Sequence, residues 1–205
     1  MEFNWLDIAK RLEAIAQTGL AFTESDYDRE RYEEVREIGH QIFHYNTQTP
    51  IEIIHDLFAR ENGYPTPKVD VRGVIFRDNK ILMIREKLDG LWALPGGWAD
   101  IGYTPSEVAV KEVREEAGLE VTPIRLLAVL DKKCHTHPPS PLHVYKIFIL
   151  CQEIGGSLKT GMETTDVKFF SQDDLPPLST DRNTFEQLDL MFSFLEDPIR
   201  QTLLD

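Results

Sequence analysis

The stretch LPGGWADIGYTPSEVAVKEVREEAGLEV, residues 94–121, decides the fold of this chain. It predicts a helix over residues 105–117, with a proline at the first helical position. Thr104 can accept a hydrogen bond from the first turn, and Glu107 can bond back to complete a capping box. Gly118 follows as the left-handed residue that commonly ends a helix. The stretch therefore predicts a glycine-rich turn that leads into a well-delimited helix.

Three glutamates share one face of this helix. Glu112, Glu115 and Glu116 are spaced i, i+3 and i+4, which places their carboxylates within about 100° of arc. The opposite face is small and apolar and is expected to pack on a sheet: Ala109, Val110, Val113 and Ala117. Three carboxylates this close repel one another unless a cation lies between them. A solvated acidic face is the ordinary alternative, but the glycine turn at 94–97, whose bare backbone can approach a metal or a phosphate, favours a binding site.

The chain ahead of this stretch has helical patterning only. One helix is expected to end near Gly19, a second to span residues 28–43, and a third to begin with Thr49 as its capping residue. In the second helix four side chains are expected to face inward: Tyr32, Val35, Ile38 and Ile42. These helices predict a small all-helical amino-terminal domain.

Short apolar runs replace the helical pattern after the turn formers at 63–68. A β-hairpin is expected from strands at 69–76 and 80–86, and a last helix around 184–196. Further strands are predicted at 91–94, 121–132, 142–153 and 165–171. Strands interleaved with helices favour an α/β layered domain. The predicted organisation is a helical domain at 1–62, a linker at 63–68 and an α/β domain at 69–205.

Composition and charge exclude several classes of protein. The chain is 41% hydrophobic and 28% charged, as in globular proteins that dissolve in water. It contains no apolar run long enough for a membrane span and no secretory signal pattern. Its two cysteines, Cys134 and Cys151, are expected to be unpaired thiols in a cytoplasmic protein. The net charge of −13 argues against duplex nucleic acid as a partner, although a phosphate can be received through a bound cation.

The deciding stretch resembles the signature of the Nudix hydrolases. That signature is a Gly, five residues, a Glu, seven residues, and then Arg-Glu-apolar-any-Glu-Glu-any-Gly-apolar. Its spacing is intact from Gly97 to Leu119, and all three glutamates are in place. Tyr103 replaces the first Glu and Lys111 replaces the Arg, which indicates a substituted structural pair. The resemblance implies an α/β/α sandwich with a mixed sheet, which follows the helical domain in the sequence.

The resemblance also implies a metal-dependent pyrophosphohydrolase. Mg²⁺, or Mn²⁺, would be bound by Glu112, Glu115 and Glu116, with the Gly97 carbonyl as a further ligand. Such a cation neutralises developing charge and helps to activate water, so Glu115 and Glu116 are expected to be catalytic. The general base is either Glu163, on a loop after the sheet, or Glu116 itself.

Four residues are candidate substrate contacts. Arg72 and Arg85 lie in the predicted hairpin, where a charge within an apolar run can serve phosphate binding or simply mark an edge. Trp98 can stack on a base or pack in the core. Arg182 can reach a phosphate or lie on a surface loop. The Cys-His-Thr-His run at 134–137 lacks a second ligand pair at zinc spacing and is expected to be a loop that overhangs the site.

The resemblance extends to the stretch GLAFTESDYDRERYEEVREI, residues 19–38. This part is similar to a Nudix subgroup that acts on nucleoside diphosphates linked to another moiety, such as ADP-ribose or CDP-choline, and it implies a nucleoside monophosphate product and a homodimer. Two alternatives stay open. One is a hydrolase of RNA ends or of oxidised nucleoside triphosphates. The other is a non-catalytic nucleotide sensor, which would be expected to lose the glutamates and to carry a basic DNA-reading module.

Overall fold

The computed structural model describes residues 4–205, and it divides into two compact units. The first unit comprises the described residues up to Pro67 together with Pro139–His143, and the second comprises Lys68–Pro138 and Val144–Asp205. Within residues 4–205, no helix is both long enough and apolar enough to cross a lipid bilayer.

The first unit is built from three helices, α1 (Trp5–Phe22), α2 (Asp26–Thr47) and α3 (Ile51–Phe58). The side chain of Asn4 caps α1 and that of Ser25 caps α2, so both helices begin with a satisfied first turn. A small apolar cluster is shared by the three helices: Ala9, Phe43, Ile54 and Phe58.

Two of these helices are longer than predicted. α1 continues past Gly19 to Phe22, and the ring of Tyr32 on α2 occupies the space that a side chain at position 19 would need. Gly19 is therefore a point of close packing between helices and does not end one. The predicted cap of α3 is wrong, since Pro50 is the N-cap and the Thr49 hydroxyl instead accepts a 2.9 Å hydrogen bond from Thr47 Oγ1.

The inward face of α2 also differs from the prediction. Ile38 is 46% exposed, whereas Gly39, His40 and Phe43 are buried. The predicted stripe followed hydrophobicity alone. The buried face observed in the structure is rotated around the helix from the predicted one. Gly39 allows α1 to approach closely, and His40 lies beside Glu13 inside the unit.

The second unit contains two sheets and two helices, α4 (Pro105–Ala117) and α5 (Phe185–Glu196). Its strands are β1 (Lys68–Val74), β2 (Phe76–Arg77), β3 (Lys80–Glu86), β4 (Trp92–Ala93), β5 (Gly96–Trp98), β6 (Leu119–Asp131), β7 (Val144–Gly156), β8 (Thr164–Phe170) and β9 (Leu203–Leu204). The first sheet is mixed, with the order β5-β1-β7-β6-β9. In the second sheet, β3 pairs antiparallel with β8, β2 and β4.

Helices cover two separate apolar cores of this unit. Successive residues of β3 alternate between them, with Leu82 and Ile84 in one core and Ile81 and Met83 in the other. α4 packs on the first core through its predicted apolar face: Ala109, Val113, Ala117 and, partly buried, Val110. α5 packs on the second core through Leu188, Met191, Phe192 and Phe194. The strands therefore lie between two helical layers, which confirms the predicted α/β/α sandwich.

The predicted hairpin of 69–76 and 80–86 forms only at its tip. Asp78 and Asn79 both have positive φ, 51° and 59°, as a two-residue hairpin turn requires, and they join β2 to β3. The pairing does not continue beyond Ile75, because β1 is already hydrogen-bonded to β5 and β7 at its two edges. The longer strand of the predicted hairpin thus belongs to the other sheet.

Candidate active site

α4 is anchored at both ends by the predicted signals. Thr104 and Glu107 form a complete capping box, in which the Thr104 N–H donates to Glu107 Oε2 over 2.8 Å. At the far end Gly118 has a φ of 73°, and the hydroxyl of Thr164 on β8 donates to the Glu116 carbonyl over 3.0 Å. The helix therefore holds its glutamates at a fixed place on the sheet.

Glu116 is the most buried of the three glutamates, with 7% of its surface exposed. Its Oε2 accepts a 2.8 Å hydrogen bond from the backbone N–H of Gly96. The pKa of Glu116 is raised to about 8, chiefly by burial and also by the carboxylates of Glu112 and Glu86, while the Gly96 hydrogen bond and Arg72 oppose the rise. The ionised form of Glu116 is therefore disfavoured at this buried position unless a further cation is bound nearby.

The two glycines of the turn have different functions. Gly96 has a φ of 146°, and a side chain there would collide with the Val71 carbonyl, so the turn itself requires glycine. Gly97 lies against Glu112, where an added Cβ would be 3.6 Å from the carboxyl carbon. The bare backbone at Gly97 therefore leaves space directly beside a carboxylate.

Lys111 lies among the carboxylates at the edge of the site. Its Nζ is 2.9 Å from Asp100 Oδ2, 3.5 Å from Glu112 Oε1 and 3.9 Å from Glu115 Oε2. The same ammonium is 5.8 Å from the ring centre of Tyr103. The two residues that depart from the Nudix signature are therefore neighbours, and a cation–π contact joins them.

The other carboxylates of α4 are less enclosed than Glu116. Burial raises the pKa of Glu112, which Lys111 partly offsets, while the Glu115 side chain is 52% exposed. Within residues 4–205, the oxygens of Glu112, Glu115 and Glu116 do not all lie within 4.8 Å of one another. A cation bound by all three would draw in the exposed Glu115 side chain.

Sequence analysis missed Glu86, a buried carboxylate at the end of β3. Only 4% of it is exposed, and its Oε1 is 2.6 Å from Arg182 Nε. Arg182 also donates to Ser179 and lies 3.5 Å from Asp89. Burial raises the pKa of Glu86, and the nearby Glu163 adds to that rise. The sequence feature that could have indicated Glu86 is its place as the acidic last residue of a predicted apolar strand.

Arg72 lies in a buried ionic network behind the turn. Its Nε and Nη2 bond both oxygens of Asp70, and its Nη1 donates to the Leu94 carbonyl over 3.0 Å. Lys146 adds a 2.7 Å bond to Asp70 Oδ1. Burial opposes ionisation of Asp70, yet Arg72 and Lys146 hold its pKa well below the ordinary value. Burial also lowers the pKa of Lys146 to about 8. In this structure Arg72 supports the glycine turn.

The remaining predicted site residues are exposed. Arg85 donates from Nε to the Gly90 carbonyl over 2.7 Å, and Trp98 on β5 is 52% exposed. Glu163 is exposed just before β8, and its carbonyl accepts a hydrogen bond from the Lys87 N–H. All three side chains have solvent access, which a substrate contact needs.

The two histidines of the predicted overhanging loop contact other polar residues of the chain. His137 Nδ1 is 2.6 Å from the Thr180 carbonyl, and its Nε2 is 3.0 Å from Gln187 Nε2. His135 pairs with Asp205 over 2.9 Å. Their ring nitrogens thus have separate partners. The two cysteines, one exposed and one buried, form no disulfide with each other.

Comparison with family models divides the chain into two matches. Residues 4–58 match a model described as a UDP-X-like, N-terminal oligomerisation domain. Residues 66–190 match the NUDIX domain.

Several known proteins are similar to this chain. YjhB of Bacillus subtilis, provisionally named an ADP-ribose pyrophosphatase, is 51% identical over 205 residues, which is 100% of this chain and 99% of that protein. A crystal structure of a UDP-X diphosphatase is 34% identical and covers 98% of both chains, with a TM-score of 0.65. An ADP-ribose pyrophosphatase structure from Streptococcus suis is 46% identical, with a TM-score of 0.63, and covers 68% of this chain and 100% of its own.

Proposed function

This chain belongs to the Nudix hydrolase family, and we propose that it uses water to cleave the diphosphate linkage of a nucleoside diphosphate joined to a second moiety. The preferred substrate is ADP-ribose, and its products would be AMP and ribose 5-phosphate. The oxygen of water would form a new bond to one phosphorus while the bond from that same phosphorus to the bridging oxygen breaks, and the other phosphate group would leave with the bridging oxygen.

One observation carries this proposal, namely the meeting of the glycine turn with α4. The Gly96 N–H fixes the Glu116 carboxylate, and Gly97 leaves room beside Glu112. A diphosphate is itself anionic, so a cluster of carboxylates can receive it only with a cation in between. The arrangement therefore supports chemistry on a metal-bound phosphate.

The donor set fits a hard divalent cation. It would be held by Glu112, Glu115 and Glu116, with the Gly97 carbonyl as a further oxygen ligand, and Mg²⁺ or Mn²⁺ prefers such ligands. The fit rests on Glu116, because burial and the carboxylates of Glu112 and Glu86 raise its pKa, and a bound cation would stabilise its ionised form. When bound, the ion supplies Lewis-acid polarisation of phosphate oxygens and a more acidic water.

The residues of the chain supply the rest of the proposed mechanism. Glu116 or the exposed Glu163 accepts the proton of the attacking water, and Glu163 has the solvent access that a base at the mouth of the site needs. Arg85 and Arg182 are proposed to meet the phosphates, and Trp98 to stack on the base. Arg72 would act through the turn, because its guanidinium already bonds Asp70 and Leu94.

The relatives support the substrate class. The Bacillus subtilis relative and the Streptococcus suis structure are both named for ADP-ribose, and a structure that covers nearly the whole chain is named for UDP-X. All three names describe a nucleoside diphosphate joined to another group. CDP-choline belongs to the same chemical class and stays within the proposal.

We assign the amino-terminal part, residues 1–62, to assembly and the part from residue 69 to catalysis. The first of these parts matches a model described as an oligomerisation domain, which supports a homodimer. It also leaves large apolar side chains exposed: Trp5, Ile15, Phe22, Ile38 and Ile53. An oligomer interface would bury such side chains, which is consistent with the same assignment.

A substrate panel tests the proposed function. Purified chain is incubated with ADP-ribose, UDP-sugars, CDP-choline, oxidised nucleoside triphosphates and short RNA, with Mg²⁺, Mn²⁺ or a chelator. We expect a nucleoside monophosphate from one diphosphate-linked compound, and no product with chelator. Turnover of only the triphosphates or RNA would overturn the substrate class. Turnover that persists in chelator would overturn the metal assignment.

A further inference from the structure

The helical unit contains a second group of metal-ligand side chains, far along the sequence from the glutamates of α4. Glu37 and His40 on α2 and His55 on α3 each offer a ligand atom, and these atoms lie within 4.8 Å of one another. His55 Nε2 is 3.1 Å from Glu37 Oε2, and the rings of His40 and His55 have centroids 5.0 Å apart. Among the described residues, this is the one such group.

We propose that these three residues form a binding site for a transition-metal ion of the zinc class. Two imidazoles and one carboxylate are a typical protein ligand set for Zn²⁺, whereas Mg²⁺ prefers oxygen ligands throughout. The site therefore differs in chemistry from the carboxylate site of α4, and it goes beyond the proposed hydrolase function.

The environment of His40 supports a bound cation. His40 is 3% exposed, and its Nε2 lies 2.9 Å from Oε2 of the equally buried Glu13. Neither Glu13 oxygen nor His40 Nε2 completes a hydrogen bond of ordinary geometry, which is costly for buried polar atoms. A carboxylate behind a histidine is also the usual outer partner of a metal-binding imidazole.

The surrounding charges favour a cation. Glu13, Glu33 and Glu37 contribute three carboxylates, and Arg36 is the cation beside them, 3.3 Å from Glu13. The ligands line an open pocket of about 270 Å³, which is large enough for an ion with one or more water ligands. The fourth coordination position is thus available to water.

An ion in this position would connect α2 to α3. α3 has only eight residues and no side-chain cap, and the apolar cluster of this unit is small. Short helices and small cores contribute little stability by themselves, so small units often depend on a metal or on association. The proposed ion would therefore add a connection between two helices of the helical unit.

Zinc binding to the full-length chain tests the proposal. The protein is stripped with chelator, returned to millimolar Mg²⁺ to occupy the α4 site, and titrated with Zn²⁺ by calorimetry. We expect one Zn²⁺ per chain that Mg²⁺ does not displace. His55→Gln and Glu37→Gln should each weaken binding by at least about tenfold. Co²⁺ should give a visible absorption band that both variants lose.

Matched controls separate this site from others. His44→Gln changes another exposed histidine of α2, one that bonds the Thr49 carbonyl, and it should bind Zn²⁺ like wild type. Glu116→Gln should also keep the site. The side chains of His55 and Glu37 are about half exposed, so both variants should fold. Circular dichroism checks that they do. Unchanged binding in His55→Gln and Glu37→Gln, or loss of binding in Glu116→Gln, would overturn the proposal whatever the outcome for hydrolase activity.

Discussion

The backbone N–H of Gly96 donates a 2.8 Å hydrogen bond to the carboxylate of Glu116. This bond joins the glycine turn to the acidic face of α4, two features that stand twenty positions apart in the sequence. It fixes the buried carboxylate while Glu112 stays beside the bare backbone of Gly97. The proposed catalytic centre depends on this hydrogen bond between the turn and the helix.

Gly97→Ala should separate activity from folding. The added methyl carbon would lie 3.6 Å from the Glu112 carboxyl carbon, an ordinary contact that the fold tolerates but that fills the space for a cation. We expect the free energy of unfolding to change by less than about 1 kcal/mol and kcat/KM to fall at least about tenfold. Gly155→Ala, which meets only the flexible Glu120 side chain, is the control. Equal activity of the two variants would contradict the assignment of Gly97.

Arg182→Gln should destabilise the second unit. It leaves the buried Glu86 carboxylate without its 2.6 Å partner, and we expect a loss of about 1–3 kcal/mol in urea unfolding. Adding Glu86→Gln should restore part of that loss, because the pair is coupled. Arg31→Gln removes an exposed pair with Asp28 and should cost less than about 1 kcal/mol. Similar losses of unfolding free energy in Arg182→Gln and Arg31→Gln would show that Arg182 does not stabilise the buried Glu86 carboxylate.

The buried ionic network at Asp70 predicts which of two substitutions destabilises the fold more. Asp70→Asn leaves two buried cations, Arg72 and Lys146, without a counter-charge, and should cost about 3–5 kcal/mol. Lys146→Met removes one cation while Asp70 keeps both bonds from Arg72, and an apolar side chain of similar size suits a site that is 1% exposed. We expect a change below about 1.5 kcal/mol for this variant. The reverse order in chemical denaturation would contradict the network.

Stability should fall in weak acid because of His137. Burial lowers its pKa from an ordinary 6.5 to about 4, so between these values the unfolded chain binds more protons than the folded one. Stability is therefore lost as the pH falls from about 6.5 to about 4, by about 1–2 kcal/mol after allowance for partial exposure. Thermal unfolding across this range should show a shallower slope for His137→Gln. Parallel slopes would mean that His137 is not neutral in the fold.

Local patterns in the sequence were sufficient to predict α4. Its capping box, its terminal glycine and the spacing of its glutamates depend only on neighbouring residues, and all are present in the structure. The layered fold followed from the alternation of strands and helices. Membership of the Nudix family, predicted from the signature, is confirmed by the match over residues 66–190.

Features that depend on distant partners were not predictable. The buried Glu86 pairs with Arg182, which lies on a loop nearly one hundred residues away in the sequence. β1 leaves the hairpin because β5 and β7 bond both of its edges. His40 faces inward and lies 2.9 Å from Glu13, against the hydrophobic pattern of α2. In each case tertiary contacts overrode a local preference.

The most direct test is hydrolysis of ADP-ribose by Glu116→Gln beside wild type and Glu120→Gln, a control at an exposed glutamate of β6. Glutamine keeps the volume of Glu116 and replaces a carboxyl group whose ionisation burial opposes, so the variant without metal should melt at the same temperature as wild type or higher. We predict that AMP release falls by at least about 100-fold in Glu116→Gln and stays unchanged in Glu120→Gln. AMP release at the wild-type rate from a folded Glu116→Gln would contradict the catalytic role of the α4 carboxylates.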